Sequence, residues 1–416
     1  MITLLTDIGS LVTVNANGGS SRTGAAMRDV GEIKNAAVLF DSRIRWIGTS
    51  EEAERKLASG EWGAVDVVPC EGRTVLPGFV DSHTHMVFAG SRAHEFARRL
   101  SGVPYTQIAA EGGGILTTMR AVREASLEDL VARCDDLVSS ALQQGTTSLE
   151  IKSGYGLTLQ DELKLLDAAR AVRDDHVVRI KLTFLGAHAV PPEYKQDPEG
   201  YVRHIIEDMI PAVAEAELAD FCDVFIDAGF FTAEQGERIL RAAQEHGMRA
   251  KVHADEIAIV GAVDVAARVG AFSADHLEHT TIEGMHMLRD AGVVATLLPG
   301  TAYTLRLPYP DARTMIDEGL TVALATDCNP GSCFTENMQT ILSLACINCG
   351  MSIEEAITAA TLHGAAALGM ADEVGSIEVG KRADIVLYDC PSYEDLVYHF
   401  GTNQVWGVWV GGEESA

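Results

Sequence analysis

Two histidines stand two residues apart, His83 and His85, directly after the apolar run Phe79-Val80. On an extended segment residues i and i+2 share a face, so both imidazoles point the same way. That spacing suits a metal ion. Other apolar runs end in similar groups. His188 follows Phe184-Leu185-Gly186-Ala187, and His253 lies in Lys251-Val252-His253-Ala254-Asp255-Glu256. His276 lies in Asp275-His276-Leu277-Glu278-His279, and Asp327 in Ala325-Thr326-Asp327-Cys328-Asn329. Each residue alone reads as readily as a core or surface group. The set is informative only if one fold brings those run ends together. Three neutral imidazoles, or two with a carboxylate, leave a metal with an open position for water. A metal so placed lowers the pKa of water to about 7. A neighbouring carboxylate or histidine can then pass a proton to a leaving nitrogen. Zinc and iron both suit such ligands.

The elements that must position these residues follow from periodicity. Eight apolar runs of strand length are spaced along the middle of the chain: Val75 to Val80, Thr146 to Ile151, Ile180 to Leu185, Asp223 to Ile226, Ala250 to His253, Phe272 to His276, Val293 to Leu298 and Thr321 to Ala325. Stretches with helical period lie between most of them: Leu127 to Gln144, Leu159 to Arg173, Tyr201 to Ile210, Ala233 to His246, Gly261 to Val269 and Gly284 to Ala291. Pro211 suggests an end for the third helix. Alternating units of this kind predict an α/β fold, a (β/α)8 TIM-type barrel over 75–367; such barrels take roughly 250 residues. A doubly wound open sheet is the competing topology.

The two ends of the chain read differently, as short strands and turns. Leu11 to Val14, Ala37 to Phe40 and Ile44 to Gly48 lie at one end; Val374 to Ile377, Ala383 to Tyr388 and Val405 to Val410 lie at the other. They predict a small β-sandwich domain formed by both termini, residues 1–74 with 368–416. In a barrel of this type the chemistry sits at the C-terminal ends of the strands. Those are the places where the histidines and Asp327 fall.

These residues resemble a known family. Pro77-Gly78-Phe79-Val80-Asp81-Ser82-His83-Thr84-His85 resembles the opening motif of the amidohydrolase superfamily. His253, His276 and Asp327 fall where that superfamily has its remaining metal and catalytic groups. The segment Val374-Gly375-Ser376-Ile377 through Ala383-Asp384-Ile385-Val386 resembles its return into the sandwich domain. Finer motifs resemble the branch that opens the ring amide of 4-imidazolone-5-propionate in histidine degradation. They are Phe88 to Arg92, Gly112 to Ile115, Glu150 to Leu157, Phe184 to His188, Lys251 to Glu256 and Thr326 to Ser332. The resemblance covers nearly the whole chain.

It implies one metal ion, zinc or iron, held by His83, His85, His253 and Asp327. It implies proton transfer by Glu256, His276 and Asp327. Arg92, Tyr155, His188, Glu256, Asn329, Gly331 and Ser332 match substrate-contacting positions, and a homodimer is expected. The residue types agree. Arg92 can pair bidentately with a carboxylate, although a surface helix arginine is the plain alternative. Tyr155 sits in a glycine-flanked loop, where a phenol can donate to a ligand or simply pack. His188 is expected to polarise the ring carbonyl, and Asn329 and the Gly331 backbone to hold polar groups. Lys152 ends the second run, so it is not read as a carboxylated lysine bridging two metals. Another amidohydrolase, such as a deaminase or hydantoinase, would keep the metal residues without needing Arg92. A non-catalytic binding protein on this fold would usually have lost ligands.

Composition narrows the partners. The formal charge is −28, from 32 basic and 60 acidic side chains, which disfavours nucleic acid and anionic membranes. An anionic substrate must therefore be met by a few placed cationic groups. No apolar run approaches the roughly 18 residues of a membrane span. The first residues lack a basic segment and carry Asp7, so no secretory signal is expected. The eight scattered cysteines predict free thiols in a reducing cytoplasm, Cys346-x-x-Cys349 included. Gly112-Gly113-Gly114 lacks the Lys-Ser or Lys-Thr of a phosphate loop and is expected to border the active site.

Overall fold

The computed structural model describes residues 2–103, 107–108 and 111–416. The chain opens with β1 (Thr3–Val12), β2 (Glu32–Phe40), β3 (Ile44–Thr49), β4 (Asp66–Pro69) and β5 (Thr74–Pro77). Then come β6 (Phe79–Asp81), β7 (Thr146–Lys152), β8 (Arg179–Ala187), β9 (Phe221–Ile226), β10 (Arg249–Ala254), β11 (Ser273–His276), β12 (Val294–Leu297) and β13 (Val322–Leu324). β14 (Ile385–Tyr388), β15 (Val405–Val410) and β16 (Glu413–Glu414) close the sequence.

β6 to β13 form one parallel sheet in sequence order. It closes on itself where Thr84 bridges Cys328. Backbone hydrogen bonds from Asp327 N to His83 O (3.0 Å) and from His85 N to Cys328 O (2.9 Å) complete that seam. Asp81 reinforces it, accepting from Thr326 N at 3.0 Å and from Thr326 Oγ1 at 2.6 Å. This is the (β/α)8 barrel, and the open-sheet alternative is excluded by the closing seam. The strands are buried on both faces, as parallel strands covered by helices must be. Ser126, Thr158, Thr232 and Thr281 start four of the covering helices, each side chain accepting the amide hydrogen three residues on.

The termini build the second sheet, in the order β16-β15-β14-β5-β1-β2-β3, with β4 also paired to β1. Leu5, Ile8, Leu11, Val38, Phe40, Val75, Ile385 and Trp409 bury a core of its own. This is the small β-sandwich made from both ends of the chain.

Four details differ from the sequence reading. The run Val75 to Val80 is two strands, β5 in the terminal sheet and β6 in the barrel. Gly78 lets the chain cross between them, because a Cβ there would lie 2.1 Å from Thr147 Oγ1. The third helix does not stop at Pro211: Pro198–His204 runs through a π turn, Ile205–Met209, into Ile210–Glu215. Pro211 falls in the first turn after the π turn, where a missing amide hydrogen costs least. Val374 to Ile377 is not a strand. Gly375 takes φ 84° and packs on the Thr361–Ala365 segment, which turns the chain away from a ladder. Finally, the strand expected at Leu11 to Val14 starts earlier, at Thr3, and ends at Val12, with Val14 left-handed at φ 49°.

The helix Gly364–Ala367 lies against β6, the strand that leads to the paired histidines. A Cβ on Gly364 would stand 2.3 Å from Val80 O. Gly364→Ala is therefore expected to displace β6 and destabilise the fold by about 1–3 kcal/mol. Thermal unfolding checks this, and an unchanged Tm would show that the contact relaxes freely.

Candidate active site

His83 and His85 lie just beyond β6, in extended chain, with Thr84 between them turned the other way to donate to Glu150 O. His253 comes from β10. One ring nitrogen of each converges with the others to within 4.8 Å, and all three residues are buried. His83 Nδ1 lies 2.6 Å from Asp275 Oδ2, and His253 Nδ1 lies 2.9 Å from Asp223 Oδ2. A carboxylate accepts, so His83 Nδ1 carries the hydrogen and its Nε2 keeps its lone pair, whereas His253 Nδ1 touches Asp223 without the alignment of a hydrogen bond. His83 Nε2 is buried with no hydrogen-bond partner. Asp327 Oδ1 lies 3.6 Å from both His83 Nε2 and His85 Nε2. Burial holds His83 and His85 well below the usual imidazole range, so both are neutral. Neutral nitrogens aimed at one another repel unless a cation sits among them. The donor set therefore fits a metal ion.

His276 ends β11 beside this centre. Its Nε2 lies 3.6 Å from Glu256 Oε2 and its Nδ1 3.6 Å from Glu278 Oε1. Burial opposes charge on His276, yet Glu256 and Glu278 outweigh it and push the imidazole up to about 10. Burial raises Glu256 to about 7. Asp327 is also raised by burial, and its Oδ2 accepts from Thr301 Oγ1. The cluster thus holds groups able to carry a proton near neutral pH.

A cavity of about 700 Å³ opens over both groups and is lined by His85, Arg92, Tyr155, His188, His253, Glu256, His276, Asp327, Asn329, Gly331 and Ser332. All the site residues expected from sequence except His83, which lies buried beneath, therefore line one space. Arg92 Nε donates to Glu95 Oε2 at 2.9 Å. Glu95 in turn accepts from Gly114 N and Thr117 Oγ1. The triple-glycine run thus stands one layer behind the cavity, supporting the arginine's partner rather than bordering the space itself. Tyr155 is buried against His85 and His188. Its loop is tied down by the buried Glu162, which accepts from Gly154, Gly156 and Leu157 amides.

Two expectations change in detail. His188 Nδ1 lies 2.9 Å from Gly154 O, and a carbonyl can only accept, so Nδ1 carries the hydrogen. Burial lowers its pKa to about 3. Neutral His188 therefore offers Nε2 as an acceptor and is unsuited to polarising a carbonyl. Asn329 spends its side chain on its own loop, donating to Asp327 O and Ser332 Oγ and accepting from Gly331 N and Ser332 N. It shapes the loop that carries Asp327.

Sequence reasoning missed several residues. Arg99 lines the same cavity and donates to Gly331 O at 3.0 Å. Glu278, Asp223 and Asp275 were passed over, as was the role of Glu150 and Lys251. A signal existed: Glu150-x-Lys152 and Lys251-x-His253 place charges at alternate positions of otherwise apolar strands, which marks one face as the barrel interior. Lys152 is paired with Glu150 and Asp223 at 2.8 Å each.

Comparison with known proteins is consistent with this site. Residues 74–414 match the amidohydrolase family. The imidazolonepropionase of Geobacillus kaustophilus strain HTA426 is 45% identical over 404 residues, 97% of this chain and 95% of that protein. The chain belongs to the imidazolonepropionases of the amidohydrolase family. The imidazolonepropionase of Parabacteroides distasonis is 46% identical over 401 residues, 96% of each chain. An adenosine deaminase from Xanthomonas campestris with bound zinc shares the fold, with TM-score 0.73 and 20% identity over 99% of this chain and 92% of that one. The chain is thus a hydrolase acting on cyclic amide C–N bonds, and its buried three-histidine group is one that could hold a metal ion.

Gly331 matters to an imidazolonepropionase through what it leaves out. A Cβ at this position would stand 2.0 Å from Arg92 Nη1. Gly331→Ala is expected to shift the guanidinium and to act like Arg92→Ala. Both should raise KM by about thirtyfold, corresponding to about 2 kcal/mol of lost charge pairing. Steady-state kinetics on folded variants check this, and an unchanged KM in both would remove Arg92 from the substrate site.

Proposed function

We propose a division of labour among these residues for one reaction. The enzyme hydrolyses the ring amide of 4-imidazolone-5-propionate to N-formimidoyl-L-glutamate, a step of histidine degradation. The carrying observation is a single cavity that contains both a three-histidine centre and a glutamate-oriented arginine.

His83, His85, His253 and Asp327 hold one metal ion, zinc or iron. When bound, such an ion supplies hydroxide at neutral pH and polarises a carbonyl. Arg92 pairs with the propionate carboxylate, with Arg99 adding positive charge on the same side. Tyr155 donates its phenol hydrogen to the ligand, and His188 Nε2 accepts an N–H of the ring. His276, as a cation between two carboxylates, stabilises negative charge developing on the carbonyl oxygen. Glu256 and Asp327 take the proton released by water and return it to the leaving ring nitrogen. Water adds to the carbonyl carbon, the ring C–N bond breaks, and the carbon becomes a carboxylate. Gly331 and Ser332 close the loop that holds Asp327 and Asn329 at the cavity wall.

The eight free cysteines support a reducing cytoplasm. Among the described residues no helix is long and apolar enough to cross a membrane. Family likeness supports a homodimer. The division into a discontinuous sheet domain, 1–74 with 368–416, and a barrel, 75–367, belongs to the same reading.

The test is turnover of freshly generated 4-imidazolone-5-propionate, followed by its ultraviolet loss before and after chelation. Chelator-sensitive conversion to formimidoylglutamate is expected. Ammonia release without that product would move the enzyme to the deaminases. His83→Ala should lose metal and activity together; stoichiometric metal in a folded His83→Ala protein would overturn the ligand set.

A further inference from the structure

Beneath the three histidines lies a layer of five charged side chains, each fully buried: Glu150, Lys152, Asp223, Lys251 and Asp275. They come from β7, β9, β10 and β11, and all face the barrel interior. Lys152 Nζ lies 2.8 Å from Glu150 Oε2, 2.8 Å from Asp223 Oδ2 and 3.8 Å from Asp275 Oδ2. Lys251 Nζ donates to Ser82 O at 2.7 Å and lies 3.2 Å from Glu150 Oε2 and 3.7 Å from Asp275 Oδ2. One of these carboxylates, Asp275, fixes the tautomer of His83, and a second, Asp223, stands 2.9 Å from His253 Nδ1. Asp223 also accepts from the His253 backbone amide.

We propose that Lys152 is a positioning residue that couples two metal-ligand histidines, because one buried ammonium hydrogen-bonds Asp223, which accepts the His253 backbone amide and touches its ring, and stands 3.8 Å from Asp275, which orients His83. The proposal rests on the metal-site reading above and adds the group that joins its ligands. The charge balance supports it. Three carboxylates face two ammonium groups, so the layer carries one negative charge in excess directly below the ring nitrogens. Without Lys152 the excess grows to two among fully buried groups, and Asp223 loses the ammonium that fixes its Oδ2 beside the His253 ring. Burial opposes charge on Lys152, but its carboxylate partners outweigh it and keep the amine protonated. A protonated amine cannot itself bind metal, so its influence passes through the two aspartates.

The experiment measures zinc affinity of the full chain by competition with a fluorescent chelator, alongside the Tm of metal-free protein. Lys152→Met is expected to weaken zinc binding about 10- to 100-fold, the range for partners that orient ligands. Lys381→Met removes another buried lysine, one that donates to Ala371 O and Ser376 Oγ far along the chain. It should lower Tm and leave zinc affinity unchanged. Wild-type zinc affinity in folded Lys152→Met, or an equal loss in Lys381→Met, overturns the proposal. If Lys152→Met does not fold, Asp223→Asn and Asp275→Asn decide the matter. Coupling through one ammonium requires the double variant to lose less than the product of the single losses, whereas a simple product means the ligands are positioned independently. Failure of the metal reading itself is distinguishable, because wild type would then bind neither zinc nor iron.

Discussion

Three imidazole lone pairs directed at one another, inside a barrel and away from water, are costly without a cation. Much of the structure around them answers that constraint. Asp275 takes the Nδ1 hydrogen of His83, so that its Nε2 is the one presented, and Asp223 stands 2.9 Å from His253 Nδ1. Burial holds His83 and His85 well below the usual imidazole range, the neutral form that metal ligation requires. The acidic layer below and Asp327 beside the rings add negative charge where a cation would stand. The centre is thus built for an ion before any ligand arrives.

Directing side chains inward at the strand ends has a backbone cost. Asp255, His276, Leu277 and Asp327 all have positive φ, at 54°, 83°, 69° and 53°. All lie at or just beyond the ends of barrel strands next to the cavity. For residues with a Cβ, such conformations cost roughly 1–2 kcal/mol each. Cross-loop bonds hold them: Leu277 N donates to Ala254 O and His279 N to Asp255 O, and Asp255 accepts from Thr280 Oγ1. Strain concentrated at this end of the barrel, with a rigid frame around it, keeps the cavity-lining groups from relaxing outward.

The charge of −28 does not prevent such a site from taking an anion. At physiological salt the screening length is about 8 Å, so acidic groups across the surface act weakly in the cavity. Local cations act strongly. Arg92 and Arg99 both reach Gly331, the one through space that the missing side chain leaves and the other by a hydrogen bond to its carbonyl. A single loop, 327–332, therefore carries an expected metal ligand at one end and seats both arginines at the other. Metal side and carboxylate side are held at a fixed separation by six residues of chain.

Some of this was determined by the sequence alone. Period-two and helical patterns are local properties, so the eight strands and their helices were legible. So was the place of His83, His85, His253, His276 and Asp327 at strand ends, because a barrel strand's end is also the end of its apolar run. The tertiary structure decided the rest, since it depends on contacts between distant segments. The break of Val75 to Val80 at Gly78 needs Thr147 in view, and Gly375 leaves the ladder because a helix packs on it. The acceptor face of His188 depends on Gly154 O, which only the fold brings near. Glu150, Lys152, Asp223, Lys251 and Asp275 read along the chain as isolated charges in apolar runs. They become one layer beneath the three histidines only when the barrel closes, because Asp223 and Lys251 find counter-charges on β7, a strand not adjacent to their own.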